Sequence, residues 1–120
     1  MNIRFPDSTA VLLQAQQEGL FEKLIAQIRK DFDLSNIALS LPDIPSNEDV
    51  LITLREKVYV LILEKFSDYL NLLYVVDVSE AAFKEIQSTD VVDIASEVTQ
   101  LILEREFQKV RLKAKFSSKE

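Results

Sequence analysis

The sequence has no cysteine, no histidine and no tryptophan, and only one glycine and three prolines. Without cysteine there is no disulfide, no zinc–thiolate or iron–sulfur ligation and no thiol nucleophile. Without histidine, the commonest general base and the commonest metal ligand near neutral pH are missing together. Sandwiches and barrels need glycine, proline and asparagine at frequent turns, whereas helices need them only at their ends, so the scarcity of both points to an all-α fold. The stretch MNIRFPDST has neither a basic n-region nor an apolar h-region, so no secretory signal is read there and a cytoplasmic location is expected. The most apolar stretch, residues 58–76, carries Glu64, Lys65 and Asp68 near its middle. Three charges there are too costly for a bilayer span.

What the sequence does hold is enough apolar material for one core. Of its 120 residues 48% are hydrophobic, which fits a single helical domain over residues 1–120 without metal or disulfide staples. The net charge is −6 and unevenly spread. Residues 105–120 hold 6 basic and 2 acidic side chains, a net +4, which leaves 8 basic and 18 acidic, a net −10, on the rest. Residues 116–120 read as a disordered basic tail.

Apolar residues three and four apart predict four helices, at about 8–32, 46–76, 78–87 and 90–115. Asp7 or Ser8 caps the first, and Gly19 is its weak point, where the helix can break. Residues 33–47 contain two prolines and read as an ordered loop. Ser46 and Asp49 form an imperfect capping box for the second helix, which is apolar around most of its circumference and therefore expected to be the long, buried, central one. The stretch DVSE (77–80) has capping-box spacing, with Asp77 as cap and Glu80 reaching back, and Asp90 closes a further cap.

The last helix changes face. Ala95, Val98 and Ile102 share a line that meets Arg105, Lys109 and Lys113 when continued, while Leu103, Phe107, Val110 and Ala114 form an apolar stripe on the other side. Either the N-terminal segment, with Ile3 and Phe5, or the 33–47 loop covers this stripe, or it is an interface for a second copy or a protein partner. Arg105 is placed to form a structural ion pair with Asp77 or Glu80.

Chemical motifs are absent: there is no P-loop, no G-x-G-x-x-G and no G-x-S-x-G. The pairs Glu64/Asp68 and Asp77/Glu80 share helix faces. An all-carboxylate divalent-metal site or enzyme is the competing reading, with solvated faces and caps the simpler explanation of these residues. A helix-turn-helix is disfavoured, because the end that would enter the major groove reads DVVD and would set two carboxylates against phosphates. The basic C-terminus leaves weak nucleic-acid binding as a further alternative, although cations near a helix C-terminus also complement its dipole.

LLYVVDVSE (72–80) and IASEVTQLILEREFQKVRLKAKF (94–116) resemble a group of small single-domain helical proteins of Bacteroidetes-type bacteria, with an approximate pattern LLYRIDVxE and IAxLIIxRQxQK. The resemblance covers the C-terminal half and rests on about a dozen positions, among them Tyr74, Asp77, Glu80, Arg105, Gln108 and Lys109. Position 75 departs from it, with Val in place of Arg. What the resemblance implies is a small cytoplasmic helical domain; it transfers no catalytic residue and no cofactor. The expected protein is thus a non-enzymatic four-helix domain that binds no cofactor and acts as a homo-oligomer or protein-binding module through its C-terminal helix.

Overall fold

Six helices, not four, make up the computed structural model, which describes residues 4–117. They are α1 (Ser8–Gln17), α2 (Phe21–Leu34), α3 (Asn47–Glu64), α4 (Phe66–Val76), α5 (Glu80–Lys84) and α6 (Val91–Ser117). The described residues contain no strand, so the all-α class holds.

Two expected helices are each broken in two, for different reasons. The first breaks at Gly19, whose φ of 69° lies in the left-handed region. Leu20 N–H then donates to Ala15 O at 2.8 Å and Gly19 N–H to Gln16 O at 3.1 Å, satisfying carbonyls that the ended helix leaves open. The second breaks at Lys65, with φ −142° and ψ 63°. Continued at 100° per residue, the buried line of Leu54, Val58 and Leu61 would carry Lys65 into the core. The break leaves Lys65 exposed and lets α4 re-enter with Tyr69, Leu72, Leu73 and Val76.

The chain uses the left-handed exit twice more, each time without glycine. Asn36 (φ 60°) ends α2, with Ile37 N–H bonded to Phe32 O at 3.0 Å, and Asp77 (φ 72°) ends α4, with Val78 N–H bonded to Leu73 O at 3.0 Å. Asp77 is therefore the terminator of α4, not the cap of the following helix. That cap is Ser79, whose hydroxyl accepts from Ala82 N–H at 3.1 Å, and α5 is correspondingly shorter than the expected 78–87. The capping box at α3 forms completely: Ser46 Oγ accepts from Asp49 N–H at 3.0 Å, and Asp49 Oδ2 from Ser46 N–H at 2.9 Å.

The central helix is α6, not the expected second one. It packs against all five others, with α3 its largest partner and α1 and α2 next. Between Val98 and Phe107 it buries Thr99, Leu101, Ile102, Leu103, Glu104 and Glu106 as well, nearly its whole circumference. α3, by contrast, leaves Ile52, Tyr59, Val60 and Leu63 exposed. The face switch on α6 thus reflects helices on both its sides. Leu103, Phe107 and Val110 are buried within the chain, which corrects their reading as an exposed interface; of that stripe Ala114 alone stays partly accessible.

Part of the cover comes from the N-terminal segment. Phe5 sets its ring 6.1 Å from that of Phe107. Its backbone is clamped from both sides: Phe5 N–H donates to Glu104 Oε2 at 2.8 Å, and Gln100 Nε2 donates to Phe5 O at 2.7 Å. Arg4 Nε lies 2.9 Å from Glu104 Oε1, so the buried Glu104 carboxylate is both paired and hydrogen-bonded, as a buried charge must be. Ile3 lies outside the described residues, as do residues 118–120 of the expected disordered tail; Phe116 and Ser117 continue α6 as helix.

Candidate functional site: a lysine-rimmed groove over a buried charge network

The basic stretch of α6 folds back onto the acidic body. Arg105 Nη2 donates to Asp77 Oδ2 at 2.8 Å, and its Nη1 donates to Gln108 Oε1, also at 2.8 Å. The pair expected with Asp77 or Glu80 is thus made with Asp77, while Glu80 opens α5. Arg111 grips Glu18 with Nε, at 3.0 Å, and with Nη2, and its guanidinium carbon sits 4.2 Å from the centroid of the Phe107 ring. The Arg111 hydrogen bonds hold the Glu18 carboxyl below its ordinary pKa against a smaller opposing effect of burial.

Deeper in, α2 and α6 share a network. Lys109 Nζ lies 2.5 Å from Asp31 Oδ2 and 2.9 Å from Glu106 Oε1. Asp31 also accepts from Gln27 Nε2 at 3.1 Å, and Gln27 Oε1 accepts from Lys113 Nζ at 2.7 Å. Glu106 has no exposed surface, and neither of its oxygens has an aligned hydrogen-bond partner. Two carboxyls and one ammonium in so dry a place cannot all be ionised cheaply. Burial first, and then the neighbouring Asp31 carboxyl, push Glu106 up to about 9, although Lys109 opposes this. Burial would raise Asp31 as well, but its interactions with Glu106, Lys109 and Gln27 outweigh that and hold it low. The two carboxyls are thus pushed apart, Glu106 toward keeping its proton and Asp31 toward the carboxylate that Lys109 pairs with.

Gln27 links this network to the surface. It forms part of the floor of an open groove of about 350 Å³ between α2 and the last turns of α6. α2 contributes Lys23, Ala26, Gln27 and Lys30, and α6 contributes Val110, Lys113, Ala114 and Ser117. Both sets have the spacing i, i+3, i+4, i+7, which is one face of a helix. Gln27 and Ser117 apart, the floor is apolar and small, and the rim carries three lysines. Among the described residues none of the three is paired with a carboxylate.

The other candidates read from the sequence do not assemble. Glu64 and Asp68 lie on either side of the Lys65 break, and Asp77 is engaged by Arg105. Among the described residues no group of three or more acidic side chains is placed to hold a metal ion. No helix among them is long and apolar enough to cross a membrane. Sequence reasoning missed the groove, although its signal was present: the two i, i+3, i+4, i+7 sets are visible in the sequence, but nothing in it says that 23–30 and 110–117 lie side by side. No family model, no curated protein and no solved structure matches the chain.

Proposed function

We infer that this is a non-enzymatic, helix-binding protein, whose groove between α2 and the C-terminal turns of α6 takes an acidic amphipathic helix of a partner protein. The observation that carries the reading is the set of three lysines, Lys23, Lys30 and Lys113, that have no carboxylate partner among the described residues and stand around a largely apolar floor. Elsewhere the chain is acidic, so charge complementarity directs an acidic segment here and away from the rest of the surface. Ala26 and Ala114 are small enough for a third backbone to approach closely, and two adjacent helix faces running in opposite chain directions offer the trough in which a helix docks. Lys23 and Lys30 stand two turns apart, about 10.5 Å, which matches carboxylates seven residues apart on the incoming helix. The C-terminal helix keeps its role as a binding element, with Lys113 and Ala114 in place of the buried Leu103, Phe107 and Val110. The buried carboxyl of Glu106 is closed to solvent, which favours binding over catalysis.

The test is fluorescence anisotropy with a labelled amphipathic helical peptide carrying Glu at two positions seven apart, beside a version with Lys at those positions and a single-stranded oligonucleotide. Binding of the Glu peptide alone, weakened by salt and lost in the Lys23→Glu/Lys30→Glu double variant, supports the reading. Equal binding of the Lys peptide, preference for the oligonucleotide, or indifference to the double variant overturns it.

A further inference from the structure

A second surface, on α3, shares no residue with the chemistry just described and carries an independent inference. α3 leaves Ile52, Tyr59 and Leu63 exposed at 47%, 37% and 53%, far more than is usual for three large apolar side chains on one helix face. With Glu56 they form a line, 52, 56, 59, 63, separated by four, three and four residues. That spacing is the same read in either direction. Its chemistry is also ordered symmetrically: an aliphatic side chain at each end, and in the middle one acceptor, the Glu56 carboxylate, and one donor, the Tyr59 hydroxyl.

We propose that this line is a homodimer interface, in which α3 of two copies pair antiparallel about a twofold axis level with the midpoint between residues 57 and 58. Such an axis brings Ile52 against Leu63 of the second copy and Glu56 against Tyr59 of the second copy, twice each, as an isologous interface requires. A parallel arrangement would instead set Glu56 against Glu56, two like charges facing each other. Beside the line, α3 and the start of α6 enclose a cleft of about 370 Å³, lined by Arg55, Val60, Val92 and Ala95 among others. Val60 and Val92 are exposed there and widen the apolar area on that flank. Arg55, whose buried Nε has no hydrogen-bond partner, lines the same cleft. Stable dimers bury about 800 Å² on each partner. One helix face with its flanking cleft is smaller than that, so the dimer is weak and forms in the micromolar range or above. It uses no residue of the lysine-rimmed groove and stands or falls separately from it.

The absence of cysteine from the sequence makes the register directly testable. Sedimentation velocity from low micromolar to several hundred micromolar should show a monomer–dimer equilibrium, shifted to monomer by Leu63→Glu. Because Leu63 is exposed, this variant should keep its helical circular dichroism. Under mild oxidation, an equal mixture of the Ile52→Cys and Leu63→Cys variants should cross-link to a dimer, whereas either variant alone should stay largely uncross-linked, since its own thiols lie about 16 Å apart across the axis. A monomer at every concentration overturns the proposal, and so does cross-linking of the single variants as fast as the mixture.

Discussion

Arg105 donates at 2.8 Å to the carboxylate of Asp77, a residue whose own backbone is left-handed. The side chain that ties α6 to the α4 corner therefore belongs to the residue that makes the corner turn. This pair is largely exposed on the Asp77 side, at 73%, so its direct contribution is small, below about 1 kcal/mol. Arg105→Ala should lower the melting temperature by only a few degrees. Substitutions at Asp77 should separate the two roles. Asp77→Gly relieves the backbone while losing the pair and should be close to neutral, whereas Asp77→Ala loses the pair and adds strain of about 1 kcal/mol. Urea denaturation giving the two Asp77 variants equal stability would sink this division.

Glu106 sets the pH dependence of folding. Its pKa is raised in the folded chain to about 9, so its contribution to stability is complete below the unfolded carboxylate range and declines as pH climbs from about 4.5 toward 9. Asp31 is shifted the other way, so its contribution is present above its unfolded pKa and lost in acid. Glu106→Gln keeps the shape and removes the ionisation. It should stabilise the protein at pH 8 more than at pH 5 and flatten the alkaline limb of the melting-temperature profile. A variant profile parallel to wild type would show that Glu106 does not titrate as the network implies.

Phe107 distinguishes burial from interface. Its ring is 1% exposed and faces Phe5, and truncation of a fully buried Phe costs about 3–5 kcal/mol. Phe107→Ala should lower the denaturation midpoint sharply at every protein concentration, and Phe107→Glu should abolish the cooperative transition. A well-folded Phe107→Glu chain whose only change is its sedimentation would restore the interface reading.

The left-handed exits offer a gain and a loss. At Gly19 an added Cβ would meet nothing within 4 Å, so Gly19→Ala should cost only the backbone penalty, about 1 kcal/mol. Asn36→Gly removes a milder penalty and should be neutral to slightly stabilising. Thermal denaturation of both variants checks the sign; a stabilising Gly19→Ala would contradict the assigned backbone.

Much of the fold was legible because local chemistry set it. The helical class followed from glycine and proline scarcity, the caps at Asp7 and Ser46 from their side chains, and the inward line of Ala95, Val98 and Ile102 from its period. The Lys65 break was missed because no glycine, proline or asparagine marks it; only the collision of a charge with the buried line betrays it. The Asp77 turn was misread because an Asp two residues before a Ser–Glu pair suits a cap as well as a left-handed exit. The change of face on α6 was legible from its period, but that helices cover both of its faces depended on long-range packing. The groove, the strap over Phe107 and the Asp31–Glu106–Lys109 network all join residues roughly 70 to 100 positions apart, and no periodicity within a single segment encodes that.

The position of α6 bears on how the protein comes to exist in the cell. Every other helix rests on it, and its ion pairs to Arg4, Glu18, Asp31 and Asp77 all reach backward along the chain. Domains whose early helices pair with one another can begin to close during synthesis. Here α1 to α5 must leave the ribosome without the element they share, with Val11, Leu24, Leu54 and Leu72 still uncovered. Until residue 110 has emerged, only the smaller contacts of α1 to α4 with one another hold that apolar surface together, and a chain stopped before that point would leave much of it open to chaperones and to aggregation.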